Sequence, residues 1–141
     1  MSKSVLISIK PEWVEKILSG EKTLELRKNE PQEVVFPFKC YIYCTTSKAA
    51  ADVKPELKAM FGKVVGEFSC DDMVQDCAGA FSSIAERMSC VSKKDIKKYA
   101  AGKNVVGWHI SGVKAYDTPK TLKDFGLSKA PQSWGYVEDE G

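Results

Sequence analysis

Gly20-Glu21-Lys22-Thr23-Leu24-Glu25-Leu26-Arg27 is the stretch on which the reading of this chain turns. Leu24 and Leu26 alternate with Thr23, Glu25 and Arg27, the two-residue period of a half-buried strand. Residues two apart on a strand share a side, so Glu25 and Arg27 project from one face and the leucines enter the core. Lys22 stands at the mouth of the strand, where its long stem reaches the same space. The three charged groups are therefore expected to converge on one concavity. Strand physics alone also allows a solvated face whose ion pair is worth at most about 1 kcal/mol.

Upstream, residues 5–9 form an apolar run that reads as a buried strand. Pro11 then opens a short helix, with Trp13, Val14, Ile17 and Leu18 on the face that packs on the core, and Gly20 stops it. Downstream, residues 29–37 read as a turn-rich connection and 39–45 as a strand rich in aromatic and β-branched residues. Residues 47–54 read as a polar, alanine-rich loop, and Pro55 opens a short helix carrying Leu57, Met60 and Phe61. A strand is expected over 63–69 and an amphipathic helix through Phe81, Ile84, Ala85 and Met88. Ser92 caps a further helix that runs to about Ala101. Residues 104–116 are the longest strand candidate, with Gly107 and Gly112 inviting a bulge or bend, and a proline-punctuated tail follows from Thr118. Strands with helices inserted, but without regular βαβ alternation, indicate an α+β fold with a curved or barrel-like sheet.

The composition bounds the function. With 141 residues, 43% hydrophobic and 28% charged, the chain reads as one domain, 1–141, large enough to bury its own core. No apolar run approaches the roughly 18–20 residues that cross a bilayer. Nor does a secretory cleavage pattern follow the N-terminus, so a cytoplasmic protein with no membrane partner is expected. A net charge of +2 means that any electrostatic footprint for a nucleic acid is local. Five cysteines without a C-x-x-C pair, and one histidine, His109, leave no tetrahedral metal set. The thiols are expected to be reduced and buried. Neither a glycine-rich dinucleotide fingerprint nor a P-loop is present, so no cofactor is expected. His109 alternates with Trp108 and Ile110 and should face away from what they pack against.

The order strand, short helix, then Gly-x-Lys-x-x-Glu-x-Arg strand resembles the ASCH domain of the PUA-like superfamily. Gly20, Lys22, Glu25 and Arg27 fill every fixed position of that motif. Residues 6–11, Tyr41-Ile42-Tyr43, Gly66-Glu67-Phe68 and residues 129–134 resemble further segments of prokaryotic ASCH proteins. The resemblance implies a small curved β-barrel with peripheral helices and a cleft lined by the motif. It also implies RNA, or a modified nucleoside or nucleotide, as ligand. Lys22 and Arg27 would then donate to phosphate or base oxygens. Glu25 would accept from an exocyclic amine, and Trp134 or Tyr43 would stack on a base.

The alternative implied by the same resemblance is a hydrolase, either a ribonuclease or an amidohydrolase acting on N4-acetylcytidine. The deacetylase type uses a lysine, a threonine and a glutamate. Its lysine matches Lys22, its threonine falls on Glu25, and the third residue has no match, so Lys22 is the single catalytic candidate. A carboxylate beside Lys22 is expected to hold the amine protonated, as a donor rather than a base. Lys93, Lys94, Lys97 and Lys98 form a basic helix face. They read either as a phosphate-contacting flank for a nucleic acid or as a solvated face with Ile96 and Tyr99 turned inward.

Overall fold

The computed structural model describes residues 3–76 and 83–138. Among the described residues six strands form one sheet: β1 (Ser4–Ile9), β2 (Leu24–Arg27), β3 (Phe38–Cys44), β4 (Lys63–Asp76), β5 (Val105–Lys120) and β6 (Trp134–Val137). Their order is β2-β5-β4-β3-β1-β6, with β1 parallel to β3 and every other pair antiparallel. The α-helices described around it are α1 (Pro11–Leu18), α2 (Lys48–Val53), α3 (Ser83–Ser89) and α4 (Lys93–Ala100). The architecture is the expected α+β fold with a curled, half-barrel sheet. No helix among the described residues is long and apolar enough to cross a membrane.

Strand β1 is buried at all six positions, Ser4 and Ser8 included, which matches its largely apolar sequence between two neighbours. In α1, Pro11 occupies the first turn and Val14 and Ile17 pack on the interior, while Trp13 is only half-buried. The long antiparallel β4–β5 pair bends where its register slips. Glu67 opposes Lys114 and Ser69 opposes Ser111, leaving one extra residue on β5, where Gly112 adopts φ +57°. Gly107 serves another purpose: a Cβ there would lie 2.8 Å from Leu24 Cδ1, so the missing side chain admits that leucine.

The two faces of β2 meet different surroundings. Glu25 lies opposite Trp108 and Arg27 opposite Val106, residues of the main interior that also holds Ile7, Ile42 and Phe68. Leu24 and Leu26 face outward into a second apolar cluster, with Ile96 and Ala100 of α4 and Val105 of β5. Leu24 is 1% exposed and Leu26 half-buried. The leucines thus anchor α4, and the charged side chains take the inner face.

The edge strands β2 and β6 do not pair, yet the chain bridges the seam between them. The Arg27 guanidinium donates from Nη1 to the carbonyl and hydroxyl of Ser133, at 3.2 and 3.0 Å. The Trp134 indole donates to Asn29 Oδ1 at 2.8 Å, and the Tyr136 hydroxyl accepts from the backbone of Gln32 and Glu33.

Three readings from sequence are corrected. Residues 48–53 are helical, capped by the Ser47 hydroxyl, which accepts from Ala50 N at 3.2 Å, rather than a loop. The segment after Thr118 is not a tail. It completes β5, makes a 3-10 turn over Leu122–Phe125 with a Thr121–Asp124 capping box, and ends in β6. Strand β4 runs on past Ser69 to Asp76. Of the helix expected around 81–88, α3 is observed, and Phe81 lies outside the described residues.

Candidate ligand-binding site

A cavity of about 480 Å³ opens at the seam, between α1, α4 and the inner face of β2. Lys22, Glu25 and Arg27 all line it, together with Trp13 from α1 and Asp95 and Tyr99 from α4. The convergence expected from their spacing is therefore present.

Gly20, at φ +86°, turns the chain out of α1, and the Lys22 backbone N–H donates to the carbonyl of Lys16 at 3.0 Å. This turn sends the lysine inward rather than along the surface. Lys22 is 1% exposed. Its ammonium donates to the carbonyl of Ser89 at the end of α3, lies 3.5 Å from Glu25 Oε1, and sits 4.9 Å from the centre of the Trp13 ring. Burial drives its pKa below the ordinary lysine value, with Glu25 pulling the other way. The expectation that Glu25 favours the protonated amine describes one side of the balance: the carboxylate raises the pKa, and desolvation, the larger influence, lowers it.

Arg27 is held on all sides. Nε and Nη2 donate to Glu25 Oε2 at 3.2 and 2.7 Å, Nη2 donates also to the Ser8 carbonyl at 2.8 Å, and Nη1 reaches Ser133. Glu25 is 5% exposed and lies between the two cations.

The aromatic walls of the cavity are Trp13 and Tyr99, neither read as such from the sequence. Trp13 sits at the border of the apolar stripe of α1, and that border position was the signal. Tyr99 is 41% exposed rather than turned inward, with the Lys28 ammonium 5.0 Å from its ring centre. Trp134, the expected stacking residue, lies outside the cavity lining. Its ring packs edge-on against Trp108 and Tyr136, at 5.7 and 5.4 Å between centroids. Tyr43 packs instead in the cluster around Leu6 and Tyr41.

Lys93, Lys94, Lys97 and Lys98 are exposed on α4, while Ile96 is buried, and the α4 residues that line the cavity are Asp95, Ile96 and Tyr99. His109 is on the outer face, as its alternation implies, with Nδ1 2.6 Å from Asp71 Oδ1. Cys40, Cys44 and Cys70 are free and buried, and burial pushes the Cys44 and Cys70 thiols up to about 12. Cys90 is free and half-buried, and Cys77 lies outside the described residues.

No family model matches the chain, and no curated protein matches it. Solved structures do. The ASCH protein of Zymomonas mobilis aligns over 98% of this chain and 90% of its own, with a TM-score of 0.75 and 22% identity. A tyrosine-to-phenylalanine variant and a serine-to-alanine variant of that protein align with the same TM-score and identity, over 92% and 90% of their chains. At this identity the likeness shows a shared fold.

Proposed function

We propose that this chain, having the ASCH fold, is a cytoplasmic RNA- or nucleotide-binding protein that takes a base of RNA, or a modified nucleoside or nucleotide, into the seam cavity. The observation that carries the reading is a cavity of about 480 Å³ walled by Trp13 and Tyr99 above the buried Lys22–Glu25–Arg27 network. Small-molecule sites commonly fall between about 300 and 1,000 Å³ and combine apolar walls with a few fixed polar groups. That volume suits one nucleoside rather than a length of strand. The three buried free thiols fit a reducing compartment.

The test is equilibrium binding of nucleosides and of short single-stranded RNA. Trp13→Ala is expected to weaken both by about fivefold or more, because base–aromatic stacking is worth about 1–3 kcal/mol. Unchanged affinity for both ligands would refute the cavity as the site. If the α4 lysines flank a bound RNA, replacing Lys93, Lys94, Lys97 and Lys98 by Ala flattens the salt dependence for RNA and leaves nucleoside binding alone.

One observation favours the hydrolase reading: burial lowers the pKa of Lys22 towards that of a usable base. Its nitrogen is nevertheless engaged as a donor to Ser89 and faces Glu25. Little or no release of product from N4-acetylcytidine is expected. Turnover abolished by Lys22→Ala would make the protein an amidohydrolase.

A further inference from the structure

The donors and acceptors of the buried network can be counted, and the count restricts the ligand. A guanidinium has five N–H donors. In Arg27 all five have protein partners: two go to Glu25, two to Ser133 and one to Ser8. The Lys22 ammonium donates to the Ser89 carbonyl, lies 3.5 Å from Glu25 Oε1 and has the Trp13 ring centre 4.9 Å away. Both cations at the floor of the cavity are thus engaged from within the protein, so a phosphate or a base carbonyl would have to compete with those partners.

Glu25 differs. Oε2 accepts twice from Arg27, whereas Oε1 faces only Lys22, at 3.5 Å, among the described residues. Each carboxylate oxygen accommodates about two donors, so Oε1 retains one lone pair in a side chain that is 7% exposed and lines the cavity. A buried acceptor with spare capacity is satisfied by a donor on whatever enters. Asp95, a second carboxylate on the lining, adds to the disfavour for anions.

We infer that the buried end of the ligand is an uncharged planar ring carrying an exocyclic amine, received by Glu25 Oε1. A phosphate on the same ligand stays at the mouth of the cavity. An amine suits the site better than a ring N–H set between carbonyls, because those carbonyls would meet a carboxylate while both nearby cations are already engaged by the protein. Exposed Lys10 on the rim offers a phosphate only a screened contact. The inference rests on the nucleoside reading and assigns the polar contacts within it: Glu25 recognises, while Arg27 and Lys22 hold it in place.

The experiment uses the native protein and matched ligands: cytidine against uridine and adenosine against inosine, each pair exchanging an amine for a carbonyl, with cytidine and adenosine 5′-monophosphates alongside. In whichever pair binds, the aminated member is expected to bind about tenfold tighter or better, the equivalent of about 1.4 kcal/mol. The 5′-phosphate is expected to change its affinity by less than that factor. A smaller preference, a preference for the carbonyl member, or a phosphate that tightens binding about tenfold overturns the inference and leaves the cavity as a nucleoside site. Absence of binding by all four nucleosides overturns the nucleoside reading and the inference together.

Discussion

Glu25 is one carboxylate serving two buried cations, and substitutions nearby must be judged against that. Placing threonine there, as in the deacetylase type of ASCH protein, would strand Lys22 and Arg27 together in a dry site. Removing one partner of a buried ion pair commonly costs about 3–5 kcal/mol. Lys22 itself supplies a pH test. Its pKa is lower folded than the 10.5 of the unfolded chain, so between the two values the unfolded state binds more protons and stability rises with pH. Lys22→Met removes that contribution. The stability of the natural protein relative to Lys22→Met, measured by urea unfolding, is expected to rise as pH climbs towards 10.5. A difference independent of pH over that range would contradict a buried, desolvated amine. The charged trio was readable in the sequence because strand geometry puts residues two apart on one side. Trp13 and Tyr99 were not, since each belongs to an apolar helical face and only the neighbouring elements determine that the ring ends at a cavity. Trp134 failed in the opposite direction: a loop-like context concealed a strand that packs its ring.

Among the elements, α1 is fitted to the sheet at Gly66. A Cβ at that position would lie 2.7 Å from the Lys114 carbonyl and 3.0 Å from Leu18 Cδ2. The first obstacle is backbone of the paired strand and cannot swing aside. Gly66→Ala is therefore expected to destabilise the fold by about 1–3 kcal/mol, the usual range for overpacking, seen as a lower midpoint in thermal or urea unfolding. An unchanged midpoint would mean that β4 and β5 part there without cost. Strands β1, β3 and β5 were visible in advance through apolar runs or β-branched and aromatic content. The α2 helix was not, because six residues with a serine cap carry too little periodicity to separate them from a polar loop. β6 was hidden for a different reason: its four residues become a strand by pairing with β1, more than 120 residues earlier.

For the whole molecule, the seam is where side-chain bonds from Arg27, Trp134 and Tyr136 do what backbone pairing does elsewhere in the sheet. Arg27→Lys keeps a charge for Glu25 but lacks the fork that reaches Ser8 and Ser133 together. A loss of about 1–3 kcal/mol is expected from these charge-assisted bonds, with faster amide hydrogen exchange in β6 than in β4. Equal exchange in the two strands would show that the seam is held by the aromatic contacts alone.

The Arg27–Ser133 bridge also carries a kinetic meaning. It joins residues 106 apart in the chain, whereas β4 and β5 meet through a much shorter connection. Contacts between distant residues bear the larger loop-closure entropy and tend to form late. The barrel is then assembled before its mouth is shut, and thermal fluctuations of the native state undo these steps in reverse. The cavity is then expected to open before the rest of the sheet unfolds. Its ligand, by binding across the gap, would slow the opening of that part more than global unfolding.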